Sequence, residues 1–361
     1  MSSSLSQSPL CLYAGRKALE HIKSSGLKPA DIKVVAGAAG GPKWLVLQQL
    51  DKFLFGEWLA NNQEPIHLIG SSIGAWRYAA YCRKDFNEAF RLFDELYFAQ
   101  RYSENPNQEE ITTEIVKVLD GLFPASSLAE IINNKKFKLN LFADRCKGLL
   151  NTERKVPLVT GLILSIILNT FSRKYLNLFF KRTLFHHPKD LPPFYNMNDF
   201  PTDKVALSLE NIRLAVLASG AIPIVIKAVE NIPGTTPGLY RDGGLLDYHM
   251  SLPYGVDEGI VLLPHFSKTI IPGWLDKFAK IRKPNPKHLE NLLLIAPSES
   301  FIKSLPLSKI PDRTDFKRFA GDDKGRLAYW REVTRRSQEL PDTFQQLLTS
   351  GNLLEHIKPF N

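Results

Sequence analysis

Ser72 is the residue around which a chemical reading of this sequence builds. It stands at the centre of Gly70-Ser71-Ser72-Ile73-Gly74, a G-x-S-x-G in which Ser72, not Ser71, has glycine both two places before and two places after. An apolar run, Ile66 to Ile69, precedes it. Behind it Ala75, Tyr78, Ala79, Cys82 and Phe86 recur at three- and four-residue spacing. Strand, sharp turn, helix is the setting in which such a serine becomes a nucleophile. The turn is too tight for side chains two residues either side of its apex, so Gly70 and Gly74 support the motif by lacking them. The serine is thereby held in a strained, exposed position at a helix N-terminus, where developing negative charge is favoured. The same letters also describe a plain Gly-Ser loop that caps a helix, so the case turns on partners.

A nucleophilic serine needs a base and an oxyanion site. Gly37-Ala38-Ala39-Gly40-Gly41-Pro42-Lys43-Trp44 follows a short apolar run, Lys33 to Ala36, and leads into helical spacing from Trp44 to Leu59. A glycine loop feeding a helix N-terminus is an anion cradle of outward N–H groups. It is no Walker A, because Pro42 parts Lys43 from the glycine pair and Trp44 follows, and it is no G-x-G-x-x-G. An oxyanion hole at Gly40 and Gly41 remains. Lys43 opposes the helix dipole in this first turn; it pairs with a carboxylate, holds an anionic head group, or is a plain surface lysine. The base candidate is Asp242 in Tyr240-Arg241-Asp242-Gly243-Gly244, a carboxylate on a bare turn that another segment can approach.

Taken together, Gly40-Gly41-Pro42-Lys43, Gly70-Ser71-Ser72-Ile73-Gly74 and Asp242-Gly243-Gly244, in this order, resemble the patatin-like phospholipases. Ala218-Ser219-Gly220-Ala221-Ile222-Pro223 is similar to that family's A-S-x-A-x-P. The resemblance covers residues 32–265. It departs in the glycine loop, where Ala38-Ala39 and Trp44 replace glycine-loop residues of the family pattern, and Trp44 is expected to narrow the site entrance. The resemblance implies an α/β, three-layer patatin-like fold, with a mostly parallel central sheet flanked by helices and a nucleophile elbow. It implies a lipid acyl hydrolase of phospholipase A type. Ser72 and Asp242 form the catalytic dyad, Gly40, Gly41 and Lys43 form the oxyanion hole and substrate contact, and an acyl-enzyme forms with no metal and no cofactor. Two alternatives stand beside it. His249 or His265, both following Asp242, would complete a Ser-Asp-His triad of the α/β-hydrolase order. A non-catalytic protein binding anionic membranes is the other.

The elements that must position these residues are those of an ordinary globular chain. It has 361 residues, 44% apolar and 23% charged. Further strand-type runs stand at 138–143, 259–263 and 292–296. Helical patterns cover 14–23, 86–102, 111–132 and 211–218, and one capped at Gly321-Asp322-Asp323 runs to Gln338. Residues 1–12 are expected to be loose. The organisation expected is an N-terminal segment, 1–31; a catalytic domain, 32–265, with an apolar helical insertion about 150–190; and a basic extension, 266–361, packed on the same domain. Three scattered cysteines argue against a disulfide framework and a cysteine zinc site. The Phe185-His186-His187-Pro188 pair lacks other ligands at metal spacing.

Residues 156–172 carry no charge and are flanked by Arg154, Lys155, Arg173 and Lys174. Seventeen residues is short for a membrane span, which needs about 20. A core helix, a lid, or a helix lying in a membrane interface all fit. Net charge is +9, and residues 280–336 hold 14 Lys/Arg against 7 Asp/Glu, which is +7 of that excess. Such a bias suits an anionic partner. No nucleic-acid recognition motif is present, so a lipid or other acyl ester is the expected partner, with peripheral contact to anionic membrane. The absence of a basic-then-apolar leader among the first residues predicts a cytoplasmic protein, peripheral to the inner membrane face if that contact is made.

Overall fold

The computed structural model describes residues 8–279 and 282–360. Its strands are β1 (Leu10–Ala14), β2 (Ile32–Gly37), β3 (Ile66–Ser71), β4 (Phe137–Cys146), β5 (Phe180–His186) and β6 (Thr202–Ala206). β7 (Val229–Glu230), β8 (Leu239–Asp242), β9 (Ile260–Pro264), β10 (Leu292–Pro297) and β11 (Ile357–Pro359) follow. They form one 11-stranded sheet in the order β11-β1-β10-β9-β2-β3-β4-β5-β6, with β8 on β4 and β7 on β8. The run β10-β9-β2-β3-β4 is parallel throughout. Antiparallel partners gather at its flanks, β1 on β10 and both β5 and β8 on β4.

The period-2 alternation of a sheet buried on both faces explains why these strands read as near-continuous apolar runs. In β9, Ile260 and Leu262 pack into one core with the helices, while Val261 and Leu263 face the opposite core. In β10, Leu293 and Ile295 join the first core, and Leu292, Leu294 and Ala296 the second. Helices Ile73–Tyr81, Phe86–Ala99 and Ile212–Ser219 cover the first face. Phe194, Met250, Leu252 and Tyr254, from short turns and extended chain, cover the second. The architecture is the three-layer α/β arrangement expected, with a mostly parallel central sheet.

Several expectations need correction. Residues 10–12 are not loose: they lie in β1, which bridges β10 and the edge strand β11, so the N-terminal segment is built into the sheet. Residues 1–7 of that expectation lie outside the described residues. The stretch 44–59 is not one regular helix. It passes from a 3₁₀ segment, Gly41–Leu47, through α, Gln48–Phe53, to a π turn, Leu54–Trp58. His186 ends β5, where its ring meets Tyr195 edge-on at 5.0 Å, and Ile132 O lies 2.9 Å from His187 Nε2.

The helix Lys155–Phe171 is not a wholly buried core helix. Its inward face carries Leu158 and the small or polar Gly161, Ser165 and Asn169. Its outward face carries Val156 (78% exposed), Ile163, Leu164, Ile167 and Phe171 (76%). That is the reverse of the usual amphipathic arrangement. Gly161 packs closely: a Cβ there would meet Leu150 Cδ2 at 2.6 Å, so that leucine would have to shift. No helix among the described residues is long and apolar enough to cross a membrane.

Candidate active site

β2 and β3 end level with each other, Gly37 opposite Gly70. Their carboxyl ends therefore present the glycine loop and Ser72 side by side, where open α/β sheets keep their sites. Ser72 has φ 53° and ψ −128°, a conformation that a non-glycine residue keeps only when its surroundings hold it there. The two flanking glycines make that turn possible. A Cβ on Gly70 would meet Ala75 N and Gly74 C at 2.5 Å. One on Gly74 would meet Gly37 O at 2.1 Å, so the first turn of the helix lies directly on the end of β2.

Asp242 ends β8, and Ser72 Oγ donates to its Oδ2 at 2.7 Å. Gly244 N–H donates to Oδ1 at 2.7 Å, so the D-G-G turn caps its own carboxylate. Both side chains are nearly closed off from solvent, Ser72 3% and Asp242 5% exposed. Burial pushes the Asp242 carboxyl above its ordinary pKa, and the nearby Arg313, the Ser72 hydroxyl, the Gly244 N–H and Lys277 pull the other way. The stretch Ala218–Pro223 ties the two halves together. Ser72 N–H donates to Ser219 Oγ at 3.0 Å, and Asp242 N–H donates to Ala221 O at 3.0 Å.

The loop after β2 is anchored by Ala39 N–H donating to Tyr248 O at 2.9 Å. Gly41 has φ +56°, the left-handed region that glycine enters without strain. At Gly40 a Cβ would press on the Phe266 ring at 2.8 Å. Among the described residues neither the Gly40 nor the Gly41 N–H meets an acceptor in any turn, loop or cap. Lys43 forms no ion pair among the described residues; its Nζ lies 4.7 Å from the centre of the Phe266 ring, and burial lowers its pKa. Trp44 does not narrow the entrance. It is buried in the core, stacked on Phe93 at 5.0 Å and edge-on to Tyr97 at 5.4 Å.

Two cavities open at the Ser72–Asp242 pair. The larger, about 330 Å³, runs from Ser72 and Gly41 between apolar walls that include Trp76, Phe93, Val118 and Ile222. That is within the size range of small-molecule sites and suits an alkyl chain. The smaller, about 100 Å³, reaches Asp242 past Leu162, Tyr248 and Trp274.

The triad alternative does not fit this geometry. Neither His249 nor His265 hydrogen-bonds Ser72 or Asp242 among the described residues. Ile271 N–H donates to His249 Nδ1 at 3.0 Å, and Ser267 N–H to His265 Nδ1 at 3.1 Å. The two rings are buried against each other, with centroids 4.3 Å apart, and burial keeps both imidazoles neutral.

Sequence reasoning missed three contributors. Arg182 is fully buried in β5 and bridges Asp247 (Nε to Oδ2, 2.7 Å) and Asp199 (Nη1 to Oδ1, 2.8 Å). Asp247 O in turn accepts from Ser71 Oγ at 2.6 Å, which buttresses the residue beside Ser72. Arg313 and Lys277, from the C-terminal third, reach the site from outside the motif-bearing region. For Arg313 the only signal was the net charge excess of 280–336, and Lys277 lies just before that region; five of the region's cations are paired with carboxylates. Lys309 pairs with Asp312 and Asp315, Arg326 with Asp323, Arg335 and Arg336 with Glu332, and Arg282 with Asp276.

No curated protein matches the sequence. Among solved structures, human GIVD cytosolic phospholipase A2 is similar at 10% identity and a TM-score of 0.39, over 94% of this chain and 63% of that one. The chain thus spans less than two thirds of that protein's length, and a likeness so remote carries no argument about chemistry. The family model described as patatin-like phospholipase matches residues 58–249, from before the β3–Ser72 turn to just beyond Asp242. With more than half of its length matched, the chain belongs to the patatin-like phospholipase family.

Proposed function

We propose that the protein is a lipid acyl hydrolase in which Ser72 is the nucleophile and Asp242 the base. The observation that carries this is the 2.7 Å hydrogen bond from Ser72 Oγ to Asp242 Oδ2 at the foot of an apolar cavity. An acyl chain lies in the larger cavity and brings its ester carbonyl to Ser72 Oγ. Oγ attacks the carbonyl carbon as its proton passes to Asp242. The carbonyl oxygen becomes an oxyanion and takes hydrogen bonds from the Gly40 and Gly41 N–H groups, a contribution of roughly 3–4 kcal/mol per donor. Asp242 returns the proton to the leaving alcohol oxygen as the C–O bond breaks, which leaves an acyl ester on Ser72. A water then gives its proton to Asp242 and attacks the acyl carbon. The acid leaves, and Ser72 Oγ recovers the proton.

A carboxylate is a weak base at its ordinary pKa of about 3.9. Its use here is supported by burial, which raises its proton affinity. The expected organisation follows: a catalytic unit over 32–265, with the N-terminal segment and the 266–361 extension packed on the same sheet. The outward apolar face of the helix Lys155–Phe171 supports peripheral contact with a lipid surface, since its neighbour Leu162 lines the smaller cavity. A fluorophosphonate probe tests the chemistry. It should label Ser72 in the native protein and leave Ser72→Ala unlabelled; labelling at Ser71, or undiminished labelling of the variant, would overturn the assignment.

A further inference from the structure

Two cations stand at the dyad without a partner. Arg313 lines the cavity that holds Ser72 and the one that holds Asp242, and it borders a third, more polar cavity of about 390 Å³. It also lies on the oxyanion loop: a Cβ on Gly41 would come within 3.0 Å of Arg313 Nε. Lys277 places its Nζ 3.9 Å from the centre of the Tyr248 ring and 5.8 Å from that of Trp274. Both rings line the Asp242 cavity. Neither Arg313 nor Lys277 forms an ion pair or a side-chain hydrogen bond among the described residues. In the same region Arg282, Lys309, Arg326, Arg335 and Arg336 are matched to carboxylates.

Unpaired cations brought together beside a half-closed cavity raise the local potential and favour an anion. Lys43 adds to that potential. Burial, and then the charges of Lys43 and Arg313, bring the Lys277 ammonium down to about 7. Asp242 is the carboxylate that faces Lys277, and it is already engaged by Ser72 and by the Gly244 N–H; Asp312, which faces Lys43, is paired with Lys309. What is missing is a second anion. A guanidinium fork beside an ammonium is the donor set that suits phosphate oxygens.

We propose that Arg313 and Lys277 hold the phosphate of an acyl-ester substrate next to the scissile ester, so that the enzyme selects phospholipids over neutral acylglycerols. This rests on the reading of Ser72 and Asp242 above. Arg313 and Lys277 lie outside the family-matched segment, so this specificity belongs to the C-terminal extension of this chain.

The test compares kcat/KM for dioleoyl phosphatidylglycerol and dioleoylglycerol, each dispersed in the same neutral detergent micelles. The native protein should prefer the phospholipid at least tenfold. In Arg313→Gln the ratio should fall about tenfold, in Lys277→Gln several-fold, and Arg313→Lys should recover part of it. A native ratio near one, or a ratio untouched by Arg313→Gln, overturns the proposal. A second arm needs no turnover: monomeric dihexanoyl phosphatidylglycerol should raise the Tm of Ser72→Ala more than dihexanoylglycerol does, and Arg313→Gln should abolish the difference. Equal shifts from the two lipids overturn the proposal even if the enzyme proves inactive. Inorganic phosphate separates the sources of the anion. If it alone stabilises Ser72→Ala while the lipid pair is not distinguished, the site takes free phosphate and the substrate reading fails. Activity that survives in Ser72→Ala would sink the dyad instead, and the binding arm would still decide this proposal.

Discussion

Ser71 and Asp242 are the last residues of two strands that run toward each other along one edge of β4. Ser71 pairs with Phe142 from the parallel strand β3, and Asp242 pairs with Ala143 from the antiparallel strand β8. β5 occupies the opposite edge of β4 over 141–146, so β3 and β8 share the edge that remains. The serine that follows Ser71 thus meets the carboxylate across the junction of two strand ends. Their separation is set by adjacent residues of one ten-residue strand rather than by the lengths of flexible loops. A site that must hold a hydrogen bond to within a few tenths of an ångström gains from such a ruler.

Asp242→Asn should therefore keep the fold and lose roughly 10²–10⁴ in kcat/KM, the usual worth of a positioned general base, because an amide cannot take the proton. Burial raises the Asp242 pKa, and only the ionised form accepts the proton. Activity should accordingly fall as the pH drops through that raised value, with the acid limb above about 4. A profile flat down to pH 4 would count against it. His249→Gln and His265→Gln, assayed as folded protein, should each stay within about tenfold of the parent, or 1.4 kcal/mol of barrier. A histidine variant as inactive as Ser72→Ala would restore the triad.

Gly74→Ala examines the turn that places Ser72. The added methyl would lie 2.1 Å from Gly37 O, a backbone atom that cannot rotate away. The expected loss is about 3 kcal/mol or more, at the upper end for overpacking. Urea unfolding should show a lower midpoint, and fluorophosphonate labelling of the surviving folded fraction should slow as Ser72 shifts. Native stability together with native labelling would mean that the helix can move off β2.

The parts legible in the sequence were those where backbone geometry demands a particular residue. Gly70 and Gly74 are forced by contacts at 2.5 and 2.1 Å, so a pattern of bare positions around Ser72 could be read directly. The central strands were legible because burial on both faces leaves an apolar run, as in β9 and β10. β1 was not: Leu10–Ala14 is an apolar run too, but it is only five residues long beside a serine-rich terminus, and its pairing with β10 lies across almost 300 residues. Arg182 and Asp247 are 65 residues apart and Arg313 is further still from Gly41, so no spacing rule links them. The stretch Ala218–Pro223 was visible as a motif, but its work, one side-chain acceptor for Ser72 N–H and one carbonyl for Asp242 N–H, needed three-dimensional contacts. Trp44 was misjudged because a bulky residue beside a glycine loop gives no sign of which way it turns; here it turns inward onto Phe93.

Arg182 offers a separate measurement of how the serine turn is buttressed. Arg182→Met would leave Asp247, itself fully buried, without the two 2.7 Å bonds that compensate it. Breaking one side of such a pair costs about 3–5 kcal/mol, whereas replacing both sides by apolar groups is often close to neutral. Arg182→Met should therefore be strongly destabilised, and Arg182→Met with Asp247→Leu should recover part of the loss, tempered by the Asp199 carboxylate left behind. Thermal unfolding of the two variants checks the order. A double variant less stable than the single one would show that the pair does more than neutralise charge.

The helix Lys155–Phe171 yields the last prediction, about where the protein meets lipid. Its outward residues are isoleucine, leucine, valine and phenylalanine, while its inward face is fixed by polar contacts. Asn169 Nδ2 donates to Asp276 Oδ1 at 2.7 Å, and Arg173 pairs with Asp276 Oδ2 at 2.6 Å. Arg173 is thus spent on internal pairing, and exposed Arg154, Lys155 and Lys174 are left as the flanking cations that can face a membrane. Burying an isoleucine side chain fully is worth about 1.5–3 kcal/mol, and partial insertion somewhat less. Replacing Ile163 and Ile167 together by serine should lower partitioning onto vesicles by at least tenfold, where 1.4 kcal/mol is one factor of ten. The three charges should add a smaller term, screened over about 10 Å at 0.1 M salt. Anionic vesicles should be favoured over neutral ones at low salt, the preference should shrink as salt rises, and Arg154→Gln with Lys155→Gln and Lys174→Gln should remove most of it. Co-sedimentation across a salt series separates the two contributions. If the serine pair binds as well as the parent, the exposed apolar face is not what meets the lipid.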